Sequence, residues 1–98
     1  MRHVVKVEYI YSVLNTMDRY KSVPPLSTRI TNVLLDHEIS TVHGFLNHVL
    51  EYGWNGLAFR GLGRKSLYTL YKWCYDMQYM TRAEFTYLIS FYGFKKFN

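Results

Sequence analysis

Apolar residues along this chain recur at intervals of three and four rather than two, which predicts helices from one end to the other. Val7, Ile10, Tyr11, Leu14 and Met17 share such a face. The spacing predicts a helix from about Glu8 to Tyr20 that covers the core, in preference to a strand opening at His3-Val4-Val5-Lys6-Val7-Glu8. Lys21-Ser22-Val23-Pro24-Pro25 must interrupt it, because the first proline restricts its predecessor and neither ring donates a backbone hydrogen bond. Ser27 then caps a second helix to about Asp36, with Ile30, Val33 and Leu34 inward.

Thr41 caps a third helix whose stripe of Val42, Phe45, Leu46, Val49 and Leu50 ends near Tyr52. Gly53-Trp54-Asn55-Gly56 closes it, and Leu57-Ala58-Phe59 reads as a single turn. Trp54 reads as a lid on the core rather than a platform for a base. A fourth helix follows Gly63 with Leu67, Leu70, Tyr71, Cys74 and Met77 at core spacing. Cys74 lies within that stripe and reads as a small buried hydrophobe rather than a nucleophile. Thr81 and Glu84 form a capping box for a fifth helix to about Tyr92, with Phe85, Leu88 and Ile89 inward and Gly93 as its stop. No internal repeat, heptad pattern or low-complexity tract interrupts this series.

Length sets the scale of the domain. With 98 residues the chain is expected to form one all-α domain, residues 1–98, burying about two thirds of its unfolded surface in one core. One cysteine excludes an intrachain disulfide framework and points to a reducing compartment. No secretory-signal succession and no apolar run of membrane-spanning length is visible, so a cytoplasmic protein without a membrane partner is expected.

Charge changes the picture by where it falls. Against 12 Lys+Arg stand 7 Asp+Glu, a net +5 with a pI near 9.4, which favours a polyanionic partner. From Tyr52 to Tyr75 no acid occurs, while Arg60, Arg64, Lys65 and Lys72 all fall there. Within that segment, Phe59-Arg60-Gly61-Leu62-Gly63-Arg64-Lys65-Ser66-Leu67 places two glycines, three cations and a hydroxyl at a helix start. Gly61 and Gly63 let the backbone turn tightly and approach a partner, and the free amides of the helix start attract phosphate. An ordinary connection with solvated cations is the alternative. Arg29 and Asn32, three apart on the polar face of the second helix, set a guanidinium beside an amide within reach of a nucleic-acid backbone or groove floor.

Enzymatic patterns are weak by comparison. His37, His43 and His48 have no adjoining cysteine or carboxylate in a metal-ligand spacing, and His43 and His48 are five apart, off a common helical face. Asp36, Glu38 and Glu51 are scattered and Cys74 has no base partner, so no acid–base or nucleophilic set is assembled and no cofactor is expected.

Leu26-Ser27-Thr28-Arg29-Ile30-Thr31-Asn32-Val33-Leu34, then Ile39-Ser40-Thr41-Val42, then Arg60-Gly61-Leu62-Gly63-Arg64-Lys65-Ser66-Leu67 together resemble the carboxy-terminal domain of the bacterial RNA polymerase alpha subunit. The resemblance covers roughly residues 25–75 and is carried by the pairing of the Leu-Ser-x-Arg-x-x-Asn-x-Leu helix with the basic hairpin. It implies a compact helical domain with a helix-hairpin-helix core that grips the minor groove of A·T-rich DNA. The family's DNA-contacting positions match Arg29, Asn32, Gly63, Lys65 and Ser66, and Arg60, Gly61 and Arg64 join them from the charge pattern. A narrow groove concentrates negative potential for Arg29, while Lys65, Ser66 and the Gly63 backbone hold flanking phosphates.

The departures narrow what is implied. The large assembly domain that carries the family's domain has no room here, so the resemblance points to a standalone protein with added helices at residues 1–24 and 79–98. Ser22-Val23-Pro24-Pro25 replaces the acidic stretch used toward sigma factor, and Thr69 stands where the family has an acid. The leading expectation is a small DNA-binding modulator of transcription encoded by a phage or mobile element. The rival is a protein-interaction module that imitates the alpha tail and engages RNA polymerase, a transcription factor or another host protein, as an inhibitor. The aromatic-rich additions at both ends are its sequence support, while the basic and aromatic tail Phe94-Lys95-Lys96-Phe97-Asn98 reads equally as a contact to DNA or a partner protein and as a tail packing loosely on the core.

Overall fold

A computed structural model describes residues 7–94, and the readings of residues 3–6 and 95–98 fall outside them. The all-α expectation holds: the described residues form α1 (Val7–Thr16), α2 (Thr28–Asp36), α3 (Val42–Tyr52), a short 3₁₀ helix (Trp54–Leu57), α4 (Arg64–Asp76) and α5 (Arg82–Tyr92). No helix among them is long and apolar enough to cross a membrane.

Cap chemistry sets where most of the helices start. Ser27 accepts from the Ile30 amide at 3.1 Å, and Thr41 accepts from the Gly44 amide at 3.0 Å. At α5 the Thr81 hydroxyl receives the Glu84 amide while the Glu84 carboxylate accepts from the Thr81 amide at 2.7 Å. Each bond satisfies a donor that the helix itself leaves orphaned.

Helix α1 stops at Thr16, four residues before the expected end at Tyr20. The Thr16 hydroxyl bonds back to the Val13 carbonyl at 3.1 Å, and the Asp18 carboxylate accepts the Tyr20 amide at 3.0 Å, folding the chain into a local turn that competes with the helix. The proline segment after it is pinned rather than loose. Val23 donates to the Ser40 carbonyl at 2.9 Å and Val42 donates to the Lys21 carbonyl at 2.8 Å, which lays residues 21–23 beside the start of α3.

Two helices end on a left-handed residue that is not glycine. Glu38 has φ 61° and Gln78 has φ 64°. In each case the next amide reaches back across the turn, Ile39 to the Leu34 carbonyl and Tyr79 to the Cys74 carbonyl, both at 2.9 Å. The apolar residues that follow, Ile39 and Tyr79, are buried and hold the turn closed.

The single turn before the basic run lies at Trp54–Leu57 rather than at the expected residues 57–59. Gly53, at φ 79°, ends α3, and the Gly56 amide closes onto the Gly53 carbonyl at 3.0 Å. A Cβ on Gly56 would stand 2.5 Å from the Cβ of Tyr52, so only glycine lets the 3₁₀ helix lie against α3.

The core gathers α1 against α3, α2 against α4 and α5 against α4. Trp54, Tyr71, Phe45 and Phe94 are its largest fully buried side chains. Leu50, Phe85 and Ile89, expected inward, are half-buried. Met77 is 40% exposed instead of buried, because it caps the end of α4 and the apolar stripe has already run out. Cys74 is fully enclosed, and burial pushes its thiol well above the ordinary cysteine range.

Three outcomes follow from these details. Gly56→Ala should lower stability by about 2 kcal/mol in urea unfolding, through the forced displacement of α3 against the 3₁₀ helix. Gln78→Gly should raise it by about 1 kcal/mol in the same measurement, by removing the left-handed strain. In native protein Cys74 should resist a thiol reagent at neutral pH and remain resistant as pH rises through the ordinary thiol range, reacting fully once the chain is unfolded.

Candidate nucleic-acid interface

Arg29, Asn32, Arg60, Gly61, Gly63, Arg64, Lys65 and Ser66 come from two separate stretches, and the fold brings those stretches together. Arg29 sits one residue into α2, exposed, and donates from Nη1 to the Gly61 carbonyl at 3.1 Å across 32 residues of chain. The first turn of α2 is thereby tied to the backbone that leads into α4. Asn32 lies one turn along the same helix, beside a shallow depression of about 350 Å³ lined by Pro25, Ser27, Thr28 and Thr31.

The connection itself is a tight turn. The Leu62 amide donates to the Phe59 carbonyl at 3.1 Å, and Leu62, 8% exposed, anchors it into the core. Gly61 adopts φ +89°, where a side chain is strained. Gly63 differs from expectation: it is extended at φ −67° and ψ 173°, and a Cβ there would meet nothing within 4 Å. The turn therefore needs glycine at Gly61 and not at Gly63. What Gly63 supplies is a bare approach to the start of α4, where no side chain caps the first amides.

The three cations of the run divide between two tasks. Arg60 and Lys65 are exposed. Arg64 is engaged elsewhere, donating from Nη2 to the carbonyls of Tyr92 at 2.5 Å and Gly93 at 3.1 Å. Its guanidinium thus closes the carboxyl end of α5, where unsatisfied carbonyls and the helix dipole favour a cation. Ser66 is half-buried in the first turn of α4. Lys72, further along α4, is paired with Asp76 at 3.0 Å, and the hydrogen bond to that carboxylate raises its pKa.

Two features lay beyond a sequence reading. One is the pair of arginine-to-carbonyl struts, whose partners lie about thirty residues away in each case. The other is a cluster of rings in which His37 stacks on Phe59, with centroids 4.1 Å apart. Trp54 is 0% exposed, which removes it as a platform for bases.

The arrangement offers exposed Arg29, Asn32, Arg60 and Lys65 around the first turn of α2 and the start of α4, whose first amides no side chain caps. Such a surface can hold phosphate oxygens by charge and by directional hydrogen bonds. Compared with protein-family models, with curated proteins and with solved structures, the chain matches none.

Proposed function

We propose that this protein binds duplex DNA through the first turn of α2 and the turn into α4, at the minor groove of A·T-rich sequence. The observation that carries the reading is the bond from Arg29 to the Gly61 carbonyl, which joins the two halves of the alpha-tail resemblance into one surface. One of the five guanidinium donors is spent on Gly61, which orients the group, and the others remain for a narrow groove of enhanced negative potential. Asn32 reads beside it. Arg60, Lys65, the Ser66 hydroxyl and the amides beyond Gly63 hold the flanking phosphates, with Gly61 and Gly63 giving the backbone close approach. Arg64 acts one step removed, by fixing α5 against the start of α4. The 3₁₀ helix, the turn and α4 then serve as the helix-hairpin-helix part of the grip, and transcription is the process such a grip would modulate, in a phage or mobile element.

A second reading is favoured by the exposed rings on the added helices, Tyr11 on α1 and Phe91 on α5, each more than half exposed. They suit a protein-interaction module that engages RNA polymerase or another host protein as an inhibitor.

Binding to an A·T-rich duplex should be strongly salt-dependent, and Lys65→Ala should reduce the log–log salt slope by about 0.9, the loss of one phosphate contact. Arg29→Ala should weaken A·T-rich sites by about 1–3 kcal/mol and flatten the preference over G·C-rich duplex. Failure of the intact protein to bind any duplex at low salt overturns the DNA reading, and retention of polymerase subunits from nuclease-treated lysate would then put the second reading in its place.

A further inference from the structure

The last turn of α5 takes hold of the basic turn from both of its ends. On the entry side, the Asn55 side chain of the 3₁₀ helix donates from Nδ2 to the Tyr92 hydroxyl at 3.3 Å. On the exit side, Arg64 at the head of α4 donates from Nη2 to the Tyr92 carbonyl at 2.5 Å and to the Gly93 carbonyl at 3.1 Å. One tyrosine thus receives both ends of the connection that carries Arg60, Gly61 and Gly63. Arg29 and the buried Leu62 fix only its middle, the first through the Gly61 carbonyl and the second through the core.

Tyr92 is itself held in place. Its ring lies 5.3 Å from that of Phe94 at 17° and 6.0 Å from that of Tyr71 at 36°, and both neighbours are fully buried. The Tyr71 hydroxyl donates to the Trp54 carbonyl at 2.5 Å, so the backbone just before Asn55 is anchored to the same group of rings. For the Asn55 amide the Tyr92 bond is the tie made among the described residues, since its Oδ1 is buried there with no hydrogen-bond partner. At the other end, Gly93 is left-handed at φ 68° and presents its carbonyl to the guanidinium that also meets Tyr92.

We propose that Tyr92 is the positioning residue of the basic turn, holding Asn55 and Arg64 so that the bend at Gly61 and the uncapped first amides of α4 are set before an anion arrives. A connection whose two ends are fixed has few conformations left to lose, so the cost of ordering it falls on folding rather than on binding. Tyr92 does this without meeting the ligand. Its carbonyl is turned to Arg64 and its hydroxyl to Asn55, and Arg64 directs Nη2 at carbonyls of α5. The inference deepens the DNA reading and rests on it for the identity of the anion, whereas the clamp is a property of the free protein.

Hydrogen exchange on the isotope-labelled full chain reads the clamp at the Leu62 amide, which closes the turn onto the Phe59 carbonyl. Tyr92→Phe keeps the ring and the backbone carbonyl and should lower protection of that amide about fivefold, the effect of one hydrogen bond, while amides inside α3 keep theirs. Asn55→Ala should do the same, and the double variant should lose no more than either alone. Arg64→Lys, which keeps the charge and loses the planar fork, should lower Leu62 protection as well. Tyr92→Phe and Asn55→Ala should each weaken binding to an A·T-rich duplex about threefold with the log–log salt slope unchanged, because no phosphate contact is removed. Unchanged protection at Leu62, a parallel loss inside α3, additive losses in the double variant, or a reduced salt slope overturns the proposal. If the unaltered protein binds no duplex at low salt, the DNA reading fails, and the exchange data decide the clamp by themselves.

Discussion

The hydroxyl of Tyr71 donates to the carbonyl of Trp54 at 2.5 Å inside the core, and the rest of the molecule is arranged around that bond. Both side chains are fully buried, and their rings meet edge to face with centroids 6.4 Å apart. A buried hydroxyl without a partner costs about 1–3 kcal/mol, so the chain is constrained to bring the 3₁₀ helix against the middle of α4. Burial, with the neighbouring Tyr92 as the next cause, pushes the Tyr71 pKa far above the ordinary tyrosine range and keeps the hydroxyl as the donor. With Trp54 held at one end and Leu62 sunk into the core at the other, the six residues between the 3₁₀ helix and α4 have little freedom. The basic turn is the visible part of that restriction.

Two arginines then finish what the apolar core begins. Arg29 satisfies the Gly61 carbonyl and Arg64 satisfies those of Tyr92 and Gly93. Both are exposed, and the planar fork of a guanidinium suits carbonyls on a second element better than a lysine ammonium would. The same residue type thereby serves two ends: at Arg29 the remaining donors stay near the turn, whereas at Arg64 the charge is directed to a helix terminus. A count of cations in the run therefore overstates the charge that faces outward beside Gly61.

Local chemistry was legible in the sequence and long-range chemistry was not. Ser27, Thr41 and the Thr81–Glu84 box could be read because a cap and its amide lie within three residues of one another. The apolar stripes of α3 and α4 could be read because burial follows helical period. The ends of α2 and α4 were harder: Glu38 and Gln78 take up a conformation that glycine signals, and the buried Ile39 and Tyr79 after them supply the compensation. The 3₁₀ helix lies ahead of Leu57-Ala58-Phe59 because Leu57, which has the look of a turn's start, is the anchored end of one. Within the candidate interface the residue types were readable, while the division of labour between Arg64 and Lys65 required the position of α5. The ring cluster of His37, His48, Tyr52 and Phe59 assembles from three elements and has no sequence period at all.

The engagement of Arg64 with the end of α5 couples that helix terminus to the start of α4. The positive end of α4 and the negative end of α5 meet there, with one guanidinium between them and Tyr92 and Phe94 stacked nearby at 5.3 Å. Helix termini are the parts of a fold that open most readily. When the last turn of α5 frays, its carbonyls turn to water and Arg64 is released beside Lys65. A guanidinium that bonds carbonyls keeps its charge, so local opening at the end of α5 would change where that charge points and not how much of it there is.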